Sequence, residues 1–339
     1  VSRVVIGVGV GAVSVLVPVY IAELAPPRVR GALVSAFQLL ITIGILVAYG
    51  VNAAFADTQA WRWSLGLAAV PGVLLALGIL AVPESPRWLV TAGRTDQARA
   101  VLGRLRGAGG VEAELAEITR VGRENADQGA WRDVFAPRVR RRLVVGMLMA
   151  FFAQVCGINA VIYFAPQILQ SSGFDTAAAL LATVGLGVVN VLLTVVGMLL
   201  VDRVGRKPML AIGVIGMTVS LAVLATTFTV GTGSGWVAFA CLAVYIVAYA
   251  VSPGMLCFVV ISEIFPLRLR GKATSLSLLV NFVANLIVAL AFLPMLLALG
   301  TAATFWVFAV VCAAFLAFTI LLVPETKGRT LEEVERDLG

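Results

Sequence analysis

The sequence contains no histidine, and only 13% of its 339 residues are Asp, Glu, Lys or Arg, where roughly 25% is usual for a soluble domain. Without imidazole, histidine-based acid–base chemistry and histidine zinc sites are excluded. The four cysteines, Cys156, Cys241, Cys257 and Cys312, fall inside apolar stretches and lack metal-type spacing. They read as small buried hydrophobes. No acid or base lies in the middle of any long apolar stretch, so the charge partners that an ion or a phosphorylated ligand needs at membrane depth are missing. No nucleophile–base pair or metal constellation stands out, which leaves an enzyme as the least supported class and implies no cofactor.

What remains is apolar: 60% of residues are hydrophobic and the mean hydropathy is +1.02. Nine stretches are long enough to span a bilayer, which takes about 20 residues each. They run over 3–22, 31–55, 61–82, 143–171, 176–201, 207–230, 235–262, 273–298 and 301–323. All are too long and too rich in Leu, Ala and Gly for barrel strands. The expected class is an all-α polytopic membrane protein.

The net charge of +7 could hint at nucleic acid, but its placement reports topology. Of the 25 basic residues, 23 fall in alternate connections, and only Arg3 and Arg62 lie on the other side. That is the positive-inside pattern, and it puts the C-terminus in the cytoplasm and the first residue outside. The expected surroundings are the lipid bilayer, with no nucleic-acid partner. Arg3 sits at the outer edge of the first span, where it can snorkel to water or pair with a carboxylate. The segment 84–142 carries 12 arginines and eight acids, with helical composition at Thr95–Arg106 and Val111–Asn125. It reads as short cytoplasmic helices joining two bundles.

An internal repeat underlies this arrangement. Glu23-Leu-Ala-Pro-Pro-Arg-Val-Arg-Gly31 recurs 240 positions later as Glu263-Ile-Phe-Pro-Leu-Arg-Leu-Arg-Gly271, identical at five of nine positions. Pro83-Glu84 recurs at Pro324-Glu325, an offset of 241. Two markers at nearly one offset imply paired transporter-like halves. Three spans precede Glu263 in the second half and have no counterpart before Glu23. The repeat thus leads to the expectation that three helices, roughly 100 residues, are missing from a six-plus-six arrangement.

Polar residues inside the spans mark the candidate site. Gln154–Pro166 reads QVCGINAVIYFAP, with amides beside the helix breakers Gly157 and Pro166. An amide in hydrocarbon is costly unless satisfied, so this mixture points to a ligand cavity or to interhelical hydrogen bonds. Gln154 and Asn159 would sit about 140° apart on a regular helix, and share one face only if the helix unwinds near Gly157. Further pairs at i,i+4 are Gln38 with Thr42, Asn190 with Thr194, and Asn281 with Asn285. Tyr245, Tyr249, Ser252-Pro253-Gly254 and Phe258 follow on one span. Amides, hydroxyls and rings without net charge suit a neutral polyhydroxylated ligand such as a sugar.

These residues resemble the sugar porter branch of the major facilitator superfamily, the glucose- and xylose-transporter type, from its fourth helix to its C-terminus. The motifs are Pro18-x-Tyr20-x-x-Glu23 with Arg30-Gly31, Pro83-Glu84-Ser85-Pro86-Arg87-Trp88, Gln154-x-x-Gly157-Ile158-Asn159, Asp202-Arg203-x-Gly205-Arg206-Lys207, Glu263 with Arg270-Gly271, and Pro324-Glu325-Thr326-Lys327-Gly328-Arg329. The resemblance implies a major facilitator fold of two six-helix bundles, the first incomplete. Residues 1–83 would be helices four to six of the N-terminal bundle, 84–142 cytoplasmic linker helices, 143–323 helices seven to twelve, and 324–339 a cytoplasmic tail. It implies that Gln38, Gln154, Asn159, Asn190 and Asn281 contact sugar hydroxyls and that Tyr163 helps close the outer gate. Phe258 stands where glucose carriers of the family commonly have tryptophan, as does Phe282, and Ala153 replaces the first glutamine of a pair. Glu23, Arg30, Glu84, Arg87, Asp202, Arg206, Glu263, Arg270 and Glu325 match cytoplasmic charge networks that hold the outward-open state. Arg3 matches an arginine tied to proton coupling. The expectation is a monomeric plasma-membrane carrier of a neutral monosaccharide by alternating access, with H+ as a candidate co-substrate. A cyclitol or polyol carrier and a non-transporting sugar sensor are the rival readings.

Overall fold

The computed structural model describes residues 2–25, 30–56, 60–106, 111–126, 131–231, 235–265 and 269–325. Every regular element among them is a helix. The spanning segments are α1 (Ser2–Leu24), α2 (Arg30–Ala54), α3 (Trp61–Leu67) and α4 (Ala69–Ala81). Short helices follow: α5 (Pro86–Thr91), α6 (Thr95–Arg106), α7 (Val111–Ala126) and α8 (Trp131–Val134). The remainder is α9 (Pro137–Val155), α10 (Ile158–Ser171), α11 (Thr176–Val204), α12 (Arg206–Val230), α13 (Gly235–Val251), α14 (Pro253–Ile264) and α15 (Arg270–Leu322). The chain is an all-α multi-pass membrane protein.

Eight helical segments are long and apolar enough to cross a bilayer among the described residues, and one of them is α15, with 53 residues. At 1.5 Å per residue α15 would run about 80 Å, far beyond a hydrocarbon core of about 30 Å. The discrepancy is resolved at Gly300, whose φ of 81° and ψ of 168° break the helix. Two spans result, at the boundary expected from the sequence.

Two compact units divide the chain: residues 1–41 with 59–128, and residues 42–58 with 129–339. Within the first, α5 to α7 enclose a small core of Leu89, Ala98, Val101, Leu102, Val111 and Leu115, against which Leu24 packs. Ser85 starts α5 as its N-cap, accepting from the Trp88 N–H at 3.4 Å, and Pro86 occupies the first turn. Both choices suit a helix start, since the cap takes an orphan N–H and proline has none to satisfy.

The second unit has two apolar clusters. One gathers α10, α12, α13 and α15 around Leu169, Met217, Leu242, Phe292 and Phe305. The other gathers α9, α14 and α15 around Met149, Leu256, Phe265 and Phe315. Apolar burial gains little over lipid, so close packing and satisfied polar groups hold such a bundle together. Outward-facing Leu181, Leu192, Leu199, Leu290 and Leu297 are exposed, as lipid-facing positions should be.

Candidate functional site

The site is made by a helix that breaks. Gly157 takes φ +95°, ψ 13° between α9 and α10, a left-handed conformation that costs glycine almost nothing. A side chain there would also collide, because an added Cβ would lie 2.7 Å from Phe308 Cδ1. The break swings Asn159 round to Gln154, and the 140° that separates them on a regular helix disappears.

Four carboxamides then meet. Asn159 Nδ2 donates to Gln154 Oε1 at 2.8 Å and to Asn285 Oδ1 at 2.9 Å. Gln154 Nε2 donates to Asn281 Oδ1 at 3.2 Å, and Asn281 Nδ2 donates to the Ala150 carbonyl at 3.1 Å. Asn159 spends both amide protons and Asn281 is only 5% exposed, so the cluster is fixed rather than floppy. Asn159 Oδ1, the Asn285 amide nitrogen and the second Gln154 N–H make no hydrogen bond among the described residues, and none of these atoms is enclosed. They offer one acceptor and two donor groups to hydroxyls, with no charge among them.

The sequence of this chain matches the model of the family described as "Sugar (and other) transporter" over residues 1–338. The chain belongs to the sugar transporter family. It is 42% identical to the glucose transporter GlcP of Staphylococcus epidermidis, over all of this chain and 76% of that protein. It is 41% identical to the galactose-proton symporter of Escherichia coli K12, over 99% of this chain and 74% of the other. A structure of the xylose transporter XylE from E. coli, in a partially occluded inward-open conformation, superposes with a TM-score of 0.83 at 34% identity. That match covers 96% of this chain and 70% of XylE. The family consists of transporters and not enzymes, and these likenesses establish the major facilitator fold for this chain.

The other expected ligand contacts of this family member are less gathered. Tyr163, on α10 one turn beyond Asn159, is 58% exposed, and Phe258 on α14 is 47% exposed. Asn190 is buried at 7%, and its i,i+4 partner Thr194 turns its hydroxyl back onto the Asn190 carbonyl at 2.7 Å. Gln38 lies on α2 in the first unit, half-buried. Ala153 is buried in the second apolar cluster, and Phe282 is exposed.

Among the motif charges whose side chains are described, Glu325 makes two hydrogen bonds to backbone. Its carboxylate accepts from the backbone N–H groups of Arg206 at 3.0 Å and Lys207 at 3.1 Å. These open α12, so the acid caps a helix N-terminus and meets its positive dipole end. Lys207 Nζ in turn donates to the Ile320 carbonyl at 2.8 Å. In the first unit Ser85 Oγ donates to Glu23 and the Tyr20 hydroxyl to the Pro83 carbonyl, which ties α1 to the start of α5. Glu84 and Arg87 are exposed, and Arg270 Nε donates to the Phe265 carbonyl at 3.4 Å. The side chains of Arg3, Arg30, Asp202 and Glu263 lie outside the described residues.

Asn285 was among the polar pairs that marked the candidate site, through its i,i+4 spacing from Asn281, but the family resemblance did not include it among the sugar contacts. Tyr49 carried no signal beyond being a tyrosine in a span.

Proposed function

We propose that this chain carries a neutral monosaccharide across the plasma membrane by alternating access, as a monomer with its C-terminus in the cytoplasm. The carrying observation is the uncharged carboxamide cluster of Gln154, Asn159, Asn281 and Asn285 at the Gly157 break. Its unspent donors and acceptor match vicinal hydroxyls, and a charged ligand would lack a counter-ion there. The names of the relatives, glucose and galactose carriers among them, favour the same substrate class. Gln38, Tyr163, Asn190 and Phe258 belong to this proposal as further contacts. So does the division into bundle helices at 1–83 and 143–323, linker helices at 84–142 and a tail at 324–339.

In this reading Glu23, Arg30, Glu84, Arg87, Asp202, Arg206, Glu263, Arg270 and Glu325 are cytoplasmic gate charges. An interaction made in one state only biases the equilibrium by its differential energy. Arg3 is the candidate for proton coupling, which the galactose-proton symporter's name brings into view.

Uptake of labelled glucose, galactose, xylose and a polyol by the natural full-length protein in liposomes tests the reading. Saturable uptake of an aldose is expected, and acceleration by an inward proton gradient would establish symport. Uptake of the polyol alone would transfer the site to a polyol carrier, and binding without uptake would favour a sensor.

A further inference from the structure

Breaking a helix inside a membrane leaves backbone carbonyls without donors, and each must be satisfied locally. Two carbonyls of the α9–α10 segment answer this description. The first is Cys156, at the end of α9 where Gly157 diverts the chain. The second is Ile162, because the residue four positions on is Pro166, which has no N–H to give. Both carbonyls receive a tyrosine hydroxyl from another helix. Tyr245 of α13 donates to the Cys156 carbonyl at 2.9 Å, and Tyr49 of α2 donates to the Ile162 carbonyl at 2.7 Å.

The two tyrosines differ in setting. Tyr245 is completely buried and anchors the fixed end of the break. Tyr49 is half-buried, and α11 comes close to it: a Cβ on Gly187 would lie 3.0 Å from Tyr49 Cδ2 and 3.1 Å from Leu46 Cδ1. The ring is therefore seated by packing, and the hydroxyl is aimed. Ile162 is one turn beyond Asn159 and directly precedes Tyr163, so a bond to its carbonyl fixes the turn that presents Asn159 to Gln154 and Asn285.

We infer that Tyr49 is a positioning residue for α10, supplying from α2 the hydrogen bond that Pro166 denies to Ile162. It touches no ligand in this account. Removing its hydroxyl leaves the Ile162 carbonyl short of a donor and lets α10 shift or open. The uptake side of the test rests on the sugar-transport reading; the labelling side does not, so the two can fail separately.

The experiment places a reporter cysteine at exposed Gln167 on α10 of the natural full-length protein in membranes. The native cysteines are buried. Labelling by a membrane-impermeant maleimide and sugar uptake are followed in four backgrounds: parent, Tyr49→Phe, Pro166→Ala and the double variant. Tyr49→Phe should raise the labelling rate about three- to ten-fold, the scale of one lost hydrogen bond, and lower uptake by a similar factor. Pro166→Ala gives residue 166 an N–H for the Ile162 carbonyl, so adding Tyr49→Phe to it should change little. Unchanged labelling in Tyr49→Phe would overturn the inference, as would an equal rise in both backgrounds. If Tyr49→Phe does not fold, folding of the double variant is the rescue expected, and failure of both refutes the assignment.

Discussion

The carboxamides around Gly157 and the charged side chains of α6 and α7 are hydrogen-bonded at similar distances in opposite surroundings. Asn159 reaches Gln154 at 2.8 Å and Asn285 at 2.9 Å, while Arg99 reaches Glu112 at 2.6 Å and Arg120 reaches Glu117 at 2.7 Å. By distance the charged pairs look stronger. Water reverses the order, since it competes for every exposed ion pair and screens its charges, so such pairs contribute little. The amides are part-buried and meet less of that competition, so an amide left unpartnered there costs about 1–3 kcal/mol. Surroundings, not bond length, decide which contact matters, and the expected effects of substitution fall in that order.

The largest effect is expected at the hinge of the amide cluster. Gly157→Val places a β-branched residue at φ +95° and drives its Cβ toward the Phe308 ring, 2.7 Å away. Left-handed strain and overpacking each cost about 1–3 kcal/mol. Thermal unfolding in detergent should show a drop of that combined order, with little correctly folded protein recovered. A Gly157→Val protein as stable as the parent would mean that the break is not needed.

Asn159→Ala comes next. It removes the donor shared by Gln154 Oε1 and Asn285 Oδ1, and takes away the ligand-facing Asn159 Oδ1. Sugar affinity should weaken by about 1–3 kcal/mol, read by direct binding on protein shown to be folded. Equal affinity would move the ligand away from this cluster.

Glu325→Ala should cost about 1 kcal/mol, since it strips a helix N-terminus of its acceptor and of a favourable charge. Glu325→Gln keeps an acceptor and should recover part of the loss in the same melting assay. This contact sits between the two extremes of the comparison: charged, yet half-buried and bonded to backbone.

Much of this was legible in the sequence, for identifiable reasons. A span announces itself by about twenty apolar residues, and the bounds 273–298 and 301–323 left the break at Gly300 between two spans. Gly157 between Gln154 and Asn159 carried its own consequence, because glycine is the residue that lets a helix turn one amide toward another. What sequence spacing did not reveal was where a hydroxyl points. Thr194 shares a face with Asn190, yet bonds back to its own helix, the local competition open to any helical threonine. Tyr49 was invisible because the group it serves is a backbone carbonyl, freed by a proline four residues further on and more than 100 residues away in sequence. Likewise Glu325 could be recognised as a motif residue, but its use as a cap depends on how the chain after α15 meets the start of α12.

The smallest effect is expected in the α6–α7 hairpin. The Arg120 guanidinium holds the Glu117 carboxyl below its usual range, and Glu112 holds Arg99 above its own. For Glu117 a lowered folded pKa stabilises above the unfolded carboxylate value, about 4.3, and the benefit fades as pH falls through the lowered value. For Arg99 a raised value stabilises at every ordinary pH and would be lost only in strong alkali. All four side chains are well exposed, so solvent screening reduces both contributions. Arg120→Ala should therefore melt with the parent at pH 7, and any residual difference should shrink at an acid pH, as the lowered Glu117 carboxyl of the parent takes up its proton. Melting curves of the two proteins at both pH values check this. A loss at pH 7 as large as that of Glu325→Ala would show the hairpin to be coupled to the rest of its unit, and the ranking by surroundings would fail there.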